Sequence, residues 1–340
     1  MRSVVRAALI AALLVMGGAP VVAGPFEDGL AAAKRGDYAT AFNLWRPLAE
    51  QGDAAAQNSL GALYLSGNGV SQDYAVAARW FRKSAEQGYA TAQNNLGLMY
   101  IKGRGHLQDY AAALKWFRKA AKQGYAKAQH NLGVMYNDGQ GVTQDYAAAM
   151  KWYRKAAEQR NAESNVNLAF MFANGQGVTR DPAKAMQWYR KAAEQGLAIA
   201  QYNLGVNYEN GLGVAQDYAE AVKWYRKSSE QGYALAQNNL GLMYKKGLGV
   251  AQDYAEAVKW YHKSVEQGLA IAQFNLGLMY GNGQGVMQNF IQAHMWWSIA
   301  ALKGIKQAAV FRDKVAKHMN AAQITEAQKL AREWVKAHER

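Results

Sequence analysis

Apolar residues along this chain return with a helical rhythm, and the rhythm itself repeats. Between Tyr89 and Gly124, Tyr89, Ala92, Leu96, Met99 and Tyr100 recur at three- and four-residue spacing, which predicts one amphipathic helix. A second run, Tyr110, Ala113, Leu114, Phe117, Ala120 and Ala121, predicts another. Polar residues and glycines separate the two. The nine letters "AQNNLGLMY" at Ala92–Tyr100 reappear unchanged at Ala236–Tyr244, an offset of 144 residues or 4 × 36. Trp80, Trp116, Trp152, Trp188, Trp224, Trp260 and Trp296 stand 36 residues apart. Glycine pairs from Gly67/Gly69 to Gly283/Gly285 keep the same interval, so seven units of 36 tile Asp53 to Gly304 without an insertion.

Within a unit, the stop and start signals are explicit. Gly103 offers the left-handed conformation that ends a first helix, and Asp109 supplies a side-chain cap for the second. Gly97 sits mid-helix, where glycine costs roughly 1 kcal/mol against alanine. A chain that repeats this cost gains something by it, and close approach of a large side chain from the partner helix is the expected gain. One hairpin cannot cover its own apolar stripe, whereas stacked neighbours can. The aromatic and methionine columns therefore read as core. One unit departs from the rule: it carries Arg160 for the closing glycine, Asn161 for tyrosine, Ala169 for the helical glycine, and Pro182 at the first position of its second helix.

These words resemble the Sel1-like repeat family, relatives of tetratricopeptide repeats. "AQNNLGLMYIKGRGHLQDYAAALKWFRKAAKQG" matches the family's "AxxxLGxxYxxGxGV" and "DxxxAxxWYxKAAxxG" helices nearly throughout. The resemblance implies an all-α fold: a right-handed α-solenoid of stacked helix-turn-helix repeats with helical caps. The expected organisation is a signal peptide over 1–23, an N-terminal capping helical pair over 24–52, seven repeats over 53–304, and C-terminal capping helices over 305–340.

Composition sharpens this. Half of the 340 residues are hydrophobic, only four are proline, and none is cysteine, so disulfides, thiolate metal sites and lipid attachment through a processed cysteine are excluded. Arg2 and Arg6 precede the apolar stretch Ala7 to Met16, which is of signal-peptide length, and "VVAG" offers a cleavage point after Ala23. Export to the periplasm or beyond is the expectation, with no integral membrane span after cleavage; an uncleaved N-terminal anchor is the lesser alternative. A formal charge of +14 invites an anionic partner. Nucleic acid is disfavoured for an exported chain.

Candidate chemistry is sparse. The six histidines, at 106, 130, 262, 294, 318 and 338, include no pair three or four apart, so no helical metal pair exists. The Asp column (Asp73, Asp109, Asp145, Asp181, Asp217, Asp253) reads as helix caps. The "GxG" follows a helix and lacks a third glycine, which rules out a dinucleotide fingerprint. No catalytic, cofactor-binding or metal-ligating residues are assigned, and no cofactor is expected.

Two surfaces remain. Counted from the helical glycine, positions −6, −3, +1, +4 and +5 vary between units and share one helical face. By resemblance to tetratricopeptide repeats, that face lines a concave groove for a protein segment. Its candidate residues are Asn94, His130, Val166, Tyr202, Asn238 and Phe274 at −3, Leu98, Val134 and Phe170 at +1, and Lys102, Asp138 and Lys246 at +5. The second surface is a basic column on the second helices, expected on the convex side, containing Arg118, Lys119, Arg154, Lys155, Arg226 and Lys227. It reads either as a solvated face that keeps the chain soluble or as a site for an anionic envelope polymer or membrane surface. The resulting reading is a non-catalytic interaction scaffold of the cell envelope. Binding of an anionic polymer is the alternative, and an enzyme of unknown type stands third.

Overall fold

The computed structural model describes residues 24–338, and the proposed export signal lies outside them. Among the described residues there are eighteen α-helices and no strand. The chain divides into two compact units between Ala120 and Ala121. The first holds α1 (Pro25–Lys34), α2 (Tyr38–Glu50), α3 (Ala54–Ser66), α4 (Tyr74–Glu86), α5 (Ala90–Lys102) and most of α6 (Tyr110–Lys122). The second holds α7 (Ala126–Asp138), α8 (Tyr146–Glu158), α9 (Ala162–Asn174), α10 (Pro182–Glu194), α11 (Ala198–Asn210), α12 (Tyr218–Glu230), α13 (Ala234–Lys246), α14 (Tyr254–Val265), α15 (Ala270–Asn282), α16 (Phe290–Leu302), α17 (Lys306–Ala316) and α18 (Ala321–His338). Within each unit the repeat helices pack in chain order, the arrangement of an α-solenoid, and at the C-terminal end α18 packs back on α16.

Each boundary is written in side-chain chemistry. Asp73, Asp145, Asp217 and Asp253 accept backbone N–H groups at the starts of their helices, as does Asn289, which stands in the aspartate's place before α16. Gly103 takes φ 61° at the end of α5, in the left-handed region. Arg160 takes φ 62°, the one non-glycine residue with positive φ among those described. Asn161 then caps α9 by accepting from the Ser164 N–H at 2.8 Å.

The helical glycines do what their repetition implied. A Cβ on Gly97 would lie 2.6 Å from the Phe117 ring, and one on Gly133 would lie 2.6 Å from Tyr153. Contacts that short do not occur, so glycine is what lets the two helices of a repeat close on an aromatic side chain. Phe81, Phe117, Tyr225 and Tyr261 are completely buried as a result. The second glycine of the loop serves another approach: a Cβ on Gly249 would lie 2.2 Å from the Tyr218 backbone, at the start of the preceding repeat's second helix.

A polar ladder runs inside this core. Gln57, Gln93, Gln129, Gln201 and Gln237 donate to carbonyl oxygens of Ala49, Ala85, Ala121, Ala193 and Ser229 at 3.0–3.3 Å. Gln231 and Gln267 in turn donate to the Gln201 and Gln237 side chains. Repeat is thereby tied to repeat by directional bonds as well as by apolar burial.

The tryptophan column corrects the expectation of core. Only Trp224 and Trp296 in it are buried; the others are partly buried, and Trp80, Trp116, Trp188 and Trp260 pack against the edge of the core. Each exposed rim is roofed by a lysine three residues on.

Candidate functional site

The variable face of the first helices is built differently in its parts. In the first unit, Leu98 and Lys102 come together with Leu65, Asn95 and Arg104 around a cavity of about 90 Å³. Asn94 is buried, 3% exposed, and so offers a partner little. Asn95 donates to the Asn58 side chain at 3.0 Å, linking consecutive repeats.

In the second unit, Val134, Val166, Tyr202 and Val206 pack partly buried against one continuous core. Phe170 is 51% exposed, and Ile199 and Ile271 show 39% and 38%. Asp138 and Lys246 are exposed at the ends of their helices. His130 is anchored: its Nδ1 lies 2.9 Å from the Ser164 hydroxyl, and its ring centroid is 5.7 Å from that of Tyr153. Burial holds its imidazole below the ordinary value, with Glu163 opposing. Tyr202 sits 5.9 Å from the Tyr225 ring and 5.3 Å from the Tyr233 ring. The Tyr225 hydroxyl donates to Glu209 and accepts from Asn239. Burial, reinforced by that hydrogen bond to Glu209, pushes the Tyr225 phenol upward.

Two further candidates need correction. Phe274 is 8% exposed because Phe311 of α17 meets it edge-on at 5.6 Å and Trp297 donates to its carbonyl. The C-terminal helices cover here what stays open in earlier repeats. Asn238 is 5% exposed and accepts from Asn275 at 2.9 Å. The residues that sequence reasoning passed over are these neighbours. Asn95, Asn131, Asn167, Asn203, Asn239 and Asn275 fill the adjacent position in six successive repeats, and that constancy was the available signal.

The basic column is exposed throughout, but much of its regularity is structural. Lys83, Lys119, Lys155, Lys191, Lys227 and Lys263 each place Nζ 4.1–4.9 Å from the centroid of the tryptophan three residues earlier. Arg82, Arg190 and Arg226 donate to Tyr100, Tyr208 and Tyr244 of the following repeat at 2.6–2.8 Å. After Arg154 the corresponding residue is Phe172, which has no hydroxyl to accept. Among the described residues, no group of three or more His, Asp or Glu side chains is arranged to hold a metal ion, and no helix is long and apolar enough to cross a membrane.

The Sel1 repeat model matches residues 24–53, 54–89, 90–125, 126–161, 162–197, 198–233, 234–269 and 270–305 in unbroken succession. The chain belongs to the Sel1 repeat family. Among solved structures, this Sel1 chain is similar to a Sel1 repeat protein from Oxalobacter formigenes, with 35% identity over 71% of this chain and 97% of that one and a TM-score of 0.65. It is also similar to a protective antigen of uropathogenic Escherichia coli that displays an SLR fold, with 30% identity over 92% and 91% of the two chains and a TM-score of 0.54. No curated protein matches the chain. Sel1 solenoids generally serve as protein-interaction scaffolds, and that is the broad role of this one.

Proposed function

We propose that the Sel1 chain is an exported, non-catalytic adaptor of the cell envelope that holds a protein segment along the variable face of its first helices. The observation that carries this reading is Phe170. A phenylalanine 51% exposed stands in a column that is otherwise aliphatic or alanine, beside a strip of half-buried Val134, Val166, Tyr202 and Val206. Apolar surface that folding leaves open is where a partner gains most from desolvation. Asp138, Asn174 and Lys246 supply polar groups at the edges of the strip. The apolar stretch Ala7 to Met16 behind Arg2 and Arg6 supports export, and the description of the E. coli relative as a protective antigen is in keeping with it. N-terminal sequencing of the protein from its host should start near Gly24, and a start at Met1 would contradict export.

The second reading is an anionic envelope polymer bound on the basic column. Exposed charge favours it. The lysine–tryptophan and arginine–tyrosine contacts count against it, because they account for the column's regularity without a ligand. Capture from the envelope fraction by the mature chain, repeated across a salt series, separates the two. Binding to the apolar strip persists at moderate salt, whereas polymer binding falls steeply as the Debye length shortens.

A further inference from the structure

The C-terminal helices α16, α17 and α18 line a pocket of about 670 Å³ that is open to solvent. That lies within the range of small-molecule sites, roughly 300–1,000 Å³. Its position coincides with a break in the repeat pattern. One core column reads Ala78, Leu114, Met150, Met186, Val222 and Val258, and then His294. His294 lines the cavity at 4% exposure, with its Nδ1 3.4 Å from the Ser298 hydroxyl. The apolar-to-polar change thus falls at the repeat whose second helix packs on α17 and α18.

The lining is divided by chemistry. Ile324, Ala331 and Val335 give an apolar wall, while Arg312, Arg332 and Lys336 bring three cations. The one carboxylate in the lining, Asp313, is already paired with Arg312 at 2.7 Å. Positive charge is therefore in excess beside one apolar wall. All three walls are α-helices, whose backbone donors and acceptors are spent inside the helices. A peptide backbone laid in the pocket would find only side-chain partners such as Ser298 and Gln328, and an alkyl chain against Ile324, Ala331 and Val335 needs none.

We propose that this cavity binds an aliphatic monocarboxylate, with its carboxylate held by Arg332 and Lys336 and its alkyl chain laid against Ile324, Ala331 and Val335. The site is separate from the apolar strip around Phe170 and does not rest on that reading.

The test is calorimetric titration of the mature chain with decanoate below its micelle concentration, with decanol as the uncharged control. Arg332 and Lys336 are exposed, so the double variant Arg332→Glu/Lys336→Glu is expected to keep its fold, checked by its thermal melt. Decanoate should bind one to one to the native chain and at least tenfold more weakly to the double variant. Decanol should bind the two alike. Phe170→Ala should leave decanoate binding unchanged. The proposal is overturned if decanoate does not bind, if it binds native and variant equally, or if a short peptide with a C-terminal leucine binds more tightly than decanoate.

Discussion

The ring of Tyr225 occupies the space where a side chain on Gly205 would have to go: a Cβ there would lie 2.6 Å from Cδ1 and 2.7 Å from Cε1. Gly205→Ala removes glycine's helix penalty of about 1 kcal/mol but forces the ring to shift, and overpacking costs about 1–3 kcal/mol. The expected net effect is a destabilisation of up to about 2 kcal/mol, read from the urea midpoint at constant slope. The repeat with Ala169 at this position shows how the ring yields, since the facing Tyr189 is 7% exposed where Tyr225 is fully buried. A more stable Gly205→Ala protein would contradict this account of the helical glycines.

Arg160 gives a prediction of opposite sign. Its φ of 62° is a conformation that costs a side-chain-bearing residue about 1–2 kcal/mol. The other repeats place glycine there, for example Gly196 at φ 91° and Gly232 at φ 85°. Arg160→Gly should stabilise the second unit by about 1 kcal/mol or somewhat less, because glycine also raises the entropy of the unfolded chain. Thermal and urea unfolding check this, and a destabilised variant would show that the arginine makes a contact worth more than the strain.

Acidification should weaken the fold. Burial holds His130, His262 and His294 below the ordinary imidazole value, with Glu163 and Glu266 opposing at the first two. At His294, Arg312 reinforces burial and Asp313 opposes it, while Arg332 and Lys336 of α18 line the same cavity. A base whose folded-state value is depressed binds protons more readily when unfolded. Its contribution is therefore complete above about pH 6.5 and is lost progressively as the pH falls from there through the lower folded-state value. The melting temperature should fall between about pH 7.5 and pH 5. His294→Val, which restores the residue of the two preceding repeats, should make the fall shallower. A melting temperature that rises on acidification would contradict the assignment.

Much of this architecture was legible because the repeat wrote it seven times. The 36-residue interval, the Asp caps, the loop glycines and the meaning of Gly97 all follow from local rules that each unit obeys on its own. Exposure was harder to read, because it depends on what lies across from a residue. Phe274 has the same helical address as Tyr202, yet Phe311 of the cap covers it. Trp116 looked like core, but Lys119 roofs it from the solvent side at 4.4 Å. Asn94 and Asn238 carry polar side chains on the variable face and are buried all the same. The cavity beneath α18 lies where the repeat ends, and a periodic reading has nothing to say there.

On the proposed function, the strip around Phe170, and not the basic column, holds the partner. The decisive measurement is calorimetric titration of the partner captured from the envelope fraction against Phe170→Ala and against Arg118→Glu/Lys119→Glu. Phe170 is half-exposed, so its truncation should leave the fold intact, whereas Tyr202 packs on Tyr225 and Tyr233 and is a less clean probe. Phe170→Ala should weaken binding by about 2 kcal/mol, near thirtyfold, and the charge reversal should change it little. Loss of binding in the charge reversal with none in Phe170→Ala would contradict the account and assign the site to the basic column.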